Sequence, residues 1–189
     1  MLSGNLEYTM SSLPNLTFSN SEATQHEVSL LFQKYALSNQ KSGDIIAMLN
    51  DESAKFLSTG SRKMFQNIQL NTIHQEEFHT HKLPAVAKFS KFMWQLKHEI
   101  KHYREAKASA GNQAKATYVF IENLPKDPLQ AEIQLLKLQW QKLEQFSIGN
   151  YANLTAIILY KLKLQVLLRW WHFNTENGFK VFQDTLKKA

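Results

Sequence analysis

Apolar residues recur along the chain at the spacing of an α-helix. Between residues 84 and 108 they advance in steps of three and four: Val86, Phe89, Met93, Leu96, Ile100 and Tyr103. The alternation returns between residues 128 and 147: Leu129, Ile133, Leu136, Trp140 and Leu143. Such steps keep apolar side chains on one side of a helix that packs nearly parallel to a second helix. The pattern predicts two members of a helical bundle.

A third stretch, residues 151–172, is apolar on several sides rather than one. Its apolar residues are Leu154, Ile157, Ile158, Leu162, Leu164, Val166, Leu167, Leu168 and Trp170. A helix without a wide polar side is buried by its neighbours. Lys161, Lys163 and Arg169 interrupt the stretch, which makes it too polar for a transmembrane helix. We therefore expect this helix at the centre of the bundle.

Local signals mark the ends of further helices. Ser19, followed three residues later by Glu22, fits a capping box. Pro84 suits the first residue of a helix, and Asp127 followed by Pro128 suits an N-cap and a first position. These signals and the breaks between them predict helices over about 21–38, 44–56, 61–80, 84–108, 128–147, 151–172 and 174–188.

The predicted fold class is all-α, a single multi-helix bundle of about six to eight helices. We expect residues 1–18, which are rich in Ser and Asn, to form a loose N-terminal arm, and residues 19–189 to form one helical domain. A chain of 189 residues matches one domain and buries a core without disulfides. Residues 117–122 fit either a helix or a short strand.

The composition of the chain excludes several kinds of catalytic and metal-binding site. The chain has no cysteine, which excludes disulfides, thiolate zinc sites, iron–sulfur clusters and cysteine catalysis. Its glycines form no phosphate-binding loop, and we expect no cofactor. No charged segment precedes an apolar stretch at the start of the sequence, so we expect no secretory signal and no transmembrane segment. The expected location is the cytoplasm, with export by a signal-independent route as the alternative.

Positive charge collects on the 84–108 helix within a chain of net charge +6. This helix contains six Lys or Arg residues and only two Glu residues. At 100° per residue, Trp94 and several basic side chains lie opposite the apolar side. An exposed Trp among basic residues is suited to anchoring a partner. The predicted binding face consists of Lys88, Lys91, Trp94, Lys97, His98, Lys101, His102 and Arg104.

One motif in the same helix suggests a specific catalytic function. The run His98-Glu99-Ile100-Lys101-His102 resembles the HExxH motif of zinc metalloproteases. The resemblance implies His98 and His102 as zinc ligands and Glu99 as the base that polarises the attacking water. Both histidines project from the outer side of the predicted helix, so the other interpretation is a pair of surface histidines on a basic helix.

Three functional hypotheses follow. The first is a non-enzymatic interaction protein, such as an adaptor, chaperone or effector, that binds an acidic protein surface through the basic, Trp-bearing helix. The second is a nucleic-acid-binding small helical subunit of a larger complex, and an anionic lipid is a further candidate partner. The third is a zinc-dependent hydrolase that uses residues 98–102. We favour the first, because the sequence assembles no catalytic site.

Overall fold

The computed structural model describes residues 3–35, 45–108, 118–121 and 124–173. Within these ranges the chain folds into seven α-helices and contains no strand, which confirms the predicted all-α bundle. The predicted helix over 174–188 lies outside the described residues. The helices are α1 (Ser3–Ser12), α2 (Glu22–Tyr35), α3 (Ile45–Ala54), α4 (Thr59–Asn67), α5 (Pro84–Ala108), α6 (Pro128–Ser147) and α7 (Leu154–Trp171).

Helix α7 lies at the centre of the bundle, where it packs against α3, α4, α5 and α6. Burying one Leu, Ile or Val side chain of α7 stabilises the fold by about 1.5–3 kcal/mol. No described helix is long and apolar enough to cross a membrane. The completely buried apolar side chains of α7 are Ile157, Ile158, Leu159, Leu162, Leu164, Val166 and Leu167.

Side-chain caps fix where α6 and α7 begin. The Asp127 carboxylate accepts a 3.0 Å hydrogen bond from a backbone N–H in the first turn of α6, and Pro128 takes the first position as predicted. Asn153 caps α7 in the same way, at 2.9 Å. Between the two helices, Gly149 adopts a φ of 82°, a conformation that L side chains rarely adopt.

The helix predicted over 61–80 is shorter than expected. Helix α4 ends at Asn67, and the chain continues in turns that include a 3-10 turn at Glu76–Phe78. Ser58 caps the start of α4 through its hydroxyl group, and the helix begins at Thr59, two residues before the predicted start. The sequence between 68 and 83 is therefore a connecting segment rather than a continuous helix.

The early end of α4 is held by side chains from α7. The Lys161 ammonium donates hydrogen bonds to the carbonyl oxygens of Phe65 and Gln66, in the last turn of α4. Gln165 accepts a 2.8 Å hydrogen bond from the backbone N–H of Leu70. The terminal carbonyls of a helix lack intrahelical partners and carry partial negative charge, so a cation at this end is favourable.

The segment expected to be a loose arm contains α1 and lies against α7. Leu16 is buried, and the Tyr160 hydroxyl donates a 3.1 Å hydrogen bond to the Pro14 carbonyl. The Phe18 ring stacks on Trp170 with centroids 4.3 Å apart. Residues 13–18 therefore bring apolar side chains to the bundle core.

The predicted apolar side of α6 is confirmed at Leu136, Trp140 and Leu143, which are buried. It is wrong at Leu129, whose side chain is 42% exposed. Trp140 contacts the ring of Phe18, with centroids 5.7 Å apart. The first turn of α6 therefore extends beyond the core that the later turns enter.

We predict that Trp140→Ala lowers the free energy of unfolding by about 3–5 kcal/mol, because it leaves a cavity in the bundle core. Leu129→Ala, on the same helix, is the matched control and should change it by less than about 1 kcal/mol, because Leu129 is largely exposed. Urea denaturation of both variants measures the difference. Equal stabilities would show that α6 does not pack on its Trp140 side.

Lys161 is a buried charge with an altered proton affinity. Its side chain is completely buried, and burial lowers the Lys161 pKa from 10.5 to about 8. The unfolded chain therefore holds this proton more tightly than the folded chain does. Below pH 8 both states carry the proton, so burial of the charged Lys161 ammonium destabilises the fold to its full extent there. This destabilisation disappears as the pH rises to 10.5, because the folded chain releases the proton first.

We predict that the Lys161 contribution to folding stability increases by about 2 kcal/mol between pH 7.5 and 9.5. Lys161→Met removes the titrating group, so the free energy of unfolding of wild type should rise relative to that of the variant over this interval. Urea denaturation of both proteins at the two pH values gives the difference. Parallel pH dependences would contradict a lowered Lys161 pKa.

Candidate functional site

The exposed side of α5 carries the candidate site. The structure exposes all eight predicted side chains and places seven of them on two neighbouring surfaces, with Lys88 outside both. One surface centres on Trp94 and the two histidines that follow it, and the other is a cleft shared with α6 and α7. The eight exposed residues are Lys88, Lys91, Trp94, Lys97, His98, Lys101, His102 and Arg104.

The first surface, the Trp94 strip, consists of Lys91, Trp94, His98, His102 and His79. Trp94 is 45% exposed, and its ring stacks on His98 with centroids 5.2 Å apart and planes 10° apart. His98 meets His102 edge to face, with centroids 4.5 Å apart. These spacings follow from the helix, because side chains four residues apart lie on the same side.

A shallow pocket of about 330 Å³ opens beside the Trp94 ring. His79, which follows the 3-10 turn, forms one wall and meets Trp94 edge to face, with centroids 6.1 Å apart. The Nε2 atom of His79 is buried and has no hydrogen-bond partner within the described part of the chain. This contact cannot be predicted from the sequence, because the sequence signals predict a continuous helix through His79. Glu76, Lys91 and Gln95 complete the pocket.

The second surface, the basic cleft, is a cavity of about 520 Å³ between α5, α6 and α7. Apolar side chains line it, among them Met93, Leu96 and Leu135. Four cations also line it: Lys97, Lys101, Arg104 and Arg169. The sequence did not associate Arg169 with the first three, because it comes from a different helix.

Carboxylates offset only part of the positive charge in the basic cleft. Glu105 lies 3.9 Å from the Lys101 ammonium, and Glu132 pairs with Arg169. Among the described residues, no carboxylate lies within 4.0 Å of Lys97 or Arg104. Lys97 and Arg104 therefore face the cleft without a counter-charge from the described residues.

The position of Lys97 lowers the pKa of its own ammonium group and that of the neighbouring His74. Its ammonium lies 3.1 Å from the Nδ1 atom of His74. Burial lowers the pKa of Lys97, and the nearby charge of Arg169 lowers it further. Burial also lowers the pKa of His74, with the charge of Lys97 as the second cause. Positive charge at this end of the cleft is thus crowded, which favours an anion there.

The HExxH residues separate into a histidine pair and an unrelated carboxylate. The Nε2 atoms of His98 and His102 lie 3.0 Å apart, and Glu105 lies 3.6 Å from the Nδ1 atom of His102. Glu99 instead accepts hydrogen bonds from the backbone N–H groups of Val119 and Phe120, at 3.2 and 2.9 Å. The hydrolase hypothesis needs Glu99 as a base, and here its carboxylate holds a neighbouring segment.

That segment, residues 118–121, is neither helix nor strand. Phe120 meets the buried Phe92 ring edge to face, with centroids 5.1 Å apart, and Ile121 is completely buried. The segment therefore covers part of α5, at Phe92, that lies outside the predicted apolar side. Phe92 was missed because its cover comes from another part of the chain.

No group of three or more His, Cys, Asp or Glu side chains is arranged to hold a metal ion within the described ranges. His98 and His102 form a pair only. Comparison with family models, with curated proteins and with solved structures finds no match to this chain. The chemistry of the two surfaces on α5 is therefore the guide to function.

We predict that Glu99→Ala lowers the free energy of unfolding by about 1–3 kcal/mol, because two backbone N–H groups lose a charged acceptor. The double variant His98→Ala, His102→Ala is the control and should stay within about 0.5 kcal/mol of wild type, since both side chains are exposed. Thermal unfolding and hydrogen exchange at residues 119 and 120 measure the effect. A neutral Glu99→Ala, or zinc lost from the histidine variant, would overturn this assignment of roles.

Proposed function

We propose that the protein is a non-enzymatic interaction module that binds an acidic protein surface through the Trp94 strip. The observation that carries the proposal is an exposed Trp94 ring held against His98 and His79 beside an open pocket. Trp is among the residues that contribute most to binding at protein interfaces.

The stacking of Trp94 favours binding in a second way. Ordering a side chain at an interface costs free energy, about 0.5–1.5 kcal/mol for a flexible residue. The Trp94 ring is already packed on one side by His98 and at its edge by His79, so less freedom is lost on binding. Its other surface stays available to a partner, next to a pocket that accepts one side chain.

Charge favours an acidic partner. Lys91 lines the pocket, and Lys88 and Lys101 are exposed on the same helix. Complementary charge speeds association and excludes partners of the wrong sign. The unpartnered Nε2 atom of His79 also offers a hydrogen-bonding position to a polar group that enters the pocket. A partner with carboxylates around an apolar or aromatic anchor fits these features together.

A peptide selection tests the proposal without a known partner. Displayed random peptides are selected on the wild-type protein and counter-selected on Trp94→Ala. We predict enrichment of peptides that contain Asp or Glu beside an apolar anchor. The dissociation constant of an enriched peptide should rise about tenfold or more for Trp94→Ala and for Lys91→Glu. Lys137→Glu, an exposed position on α6, is the charge-matched control.

The outcomes separate the hypotheses. Equal peptide binding by wild type and Trp94→Ala would refute the strip as the binding surface. Binding of a single-stranded oligonucleotide that weakens steeply with salt and requires Lys91 would favour the nucleic-acid hypothesis instead, because phosphate contacts release counterions. An unchanged thermal melt for each variant shows that the fold is intact.

A further inference from the structure

The basic cleft combines three features: a cavity, apolar walls and uncompensated positive charge. It is a concave cavity of about 520 Å³, which falls in the size range of small-molecule sites. Its walls are apolar where α5 faces α6, at Met93, Leu96 and Leu135. Its rim carries Lys97 and Arg104, which have no carboxylate partner among the described residues.

An unpartnered polar side chain completes the arrangement. Gln139 lines the cleft from α6 and is only 7% exposed. Its Oε1 atom is buried and accepts no hydrogen bond from any described residue. An unsatisfied buried acceptor costs about 1–3 kcal/mol, so such groups are usually paired. A ligand that brings an N–H or O–H group to Gln139 would supply the missing partner.

We propose that the basic cleft binds a small amphipathic organic anion. The apolar body of the ligand lies against Met93, Leu96 and Leu135, and its carboxylate, sulfonate or phosphate lies between Lys97 and Arg104. Gln139 accepts a hydrogen bond from a donor on the ligand. The site is separate from the Trp94 strip and does not depend on the function proposed for that strip.

Each part of the cleft argues for one part of the ligand. Apolar walls favour a ligand body that leaves water, since burial of apolar surface is favourable. The ammonium of Lys97 and the guanidinium of Arg104 favour a negative group, and a guanidinium forms paired hydrogen bonds with planar or phosphate oxygens. A bare inorganic anion would leave the apolar walls uncovered, and an uncharged apolar molecule would bring no negative charge to the two cations.

The test uses 8-anilinonaphthalene-1-sulfonate, a fluorescent amphipathic anion with one N–H donor. We expect it to bind the folded protein and to be displaced by decanoate below its micelle-forming concentration. Acetate and inorganic phosphate, which lack an apolar body, should displace it poorly. Decyltrimethylammonium, which has the same tail and the opposite charge, should also displace it poorly. Equal displacement by any of these three would overturn the proposal, as would failure of the dye to bind or of decanoate to displace it.

Variants locate the binding site. The double variant Lys97→Gln, Arg104→Gln should weaken dye binding about tenfold or more, because it removes both cations that lack a carboxylate partner among the described residues. Lys126→Gln, Lys137→Gln removes the same charge from exposed positions outside the cleft and is the matched control. If both double variants bind equally, the dye does not occupy the cleft and the proposal fails.

Gln139→Leu separates a ligand-binding role from a structural one. Replacing an unpartnered buried amide with an apolar side chain of similar size should leave the melting temperature unchanged or raise it. The same change should weaken binding of the dye severalfold, because the dye loses its acceptor. A fall in melting temperature with unchanged dye affinity would show that Gln139 serves the fold alone. Trp94→Ala should leave dye binding unchanged, and loss of binding there would place the dye on the strip.

Discussion

The Lys161 ammonium lies inside the bundle without a carboxylate within 4.0 Å of it in the described part of the chain. A buried charge is costly unless polar groups surround it, and here the carbonyl oxygens of Phe65 and Gln66 do so. The ammonium also lies 4.5 Å from the centroid of the Phe65 ring. These contacts place the last turn of α4 against the middle of α7. The segment that leads from α4 into α5 therefore starts from a fixed position. This fixed start also determines which side of α5 faces solvent.

Helices α5, α6 and α7 could be predicted from sequence because their signals are local. Pro84 and the pair Asp127-Pro128 mark two starts, and the apolar spacing describes the sides that pack. The end of α4 could not be predicted, because the groups that stop it come from Lys161 and Gln165, 95 or more residues away. The pattern of apolar and polar residues within 61–80 carries no information about those distant partners.

The candidate site shows the same division between local and distant information. Helical geometry correctly indicated that Trp94, His98 and His102 are exposed on one helix. It could not indicate that Arg169 and Gln139 join the Lys97 side of α5, because these residues come from α7 and α6. Nor could it assign Glu99, whose carboxylate binds backbone groups of a segment about twenty residues later. A motif of five residues describes neighbours along one helix and says nothing of contacts across the bundle.

The central place of α7 has a consequence for how the chain reaches this structure. The Tyr160 hydroxyl bonds to a carbonyl 146 residues earlier, and the Trp171 indole bonds to Ser19, 152 residues earlier. Closing loops of this length costs chain entropy before the apolar contacts repay it, and folds with many distant contacts form slowly. During synthesis, α3, α4, α5 and α6 all leave the ribosome before the helix that they cover. The apolar surface that each of them turns toward α7 stays open to water, and to other nascent chains, until α7 emerges and the core can close.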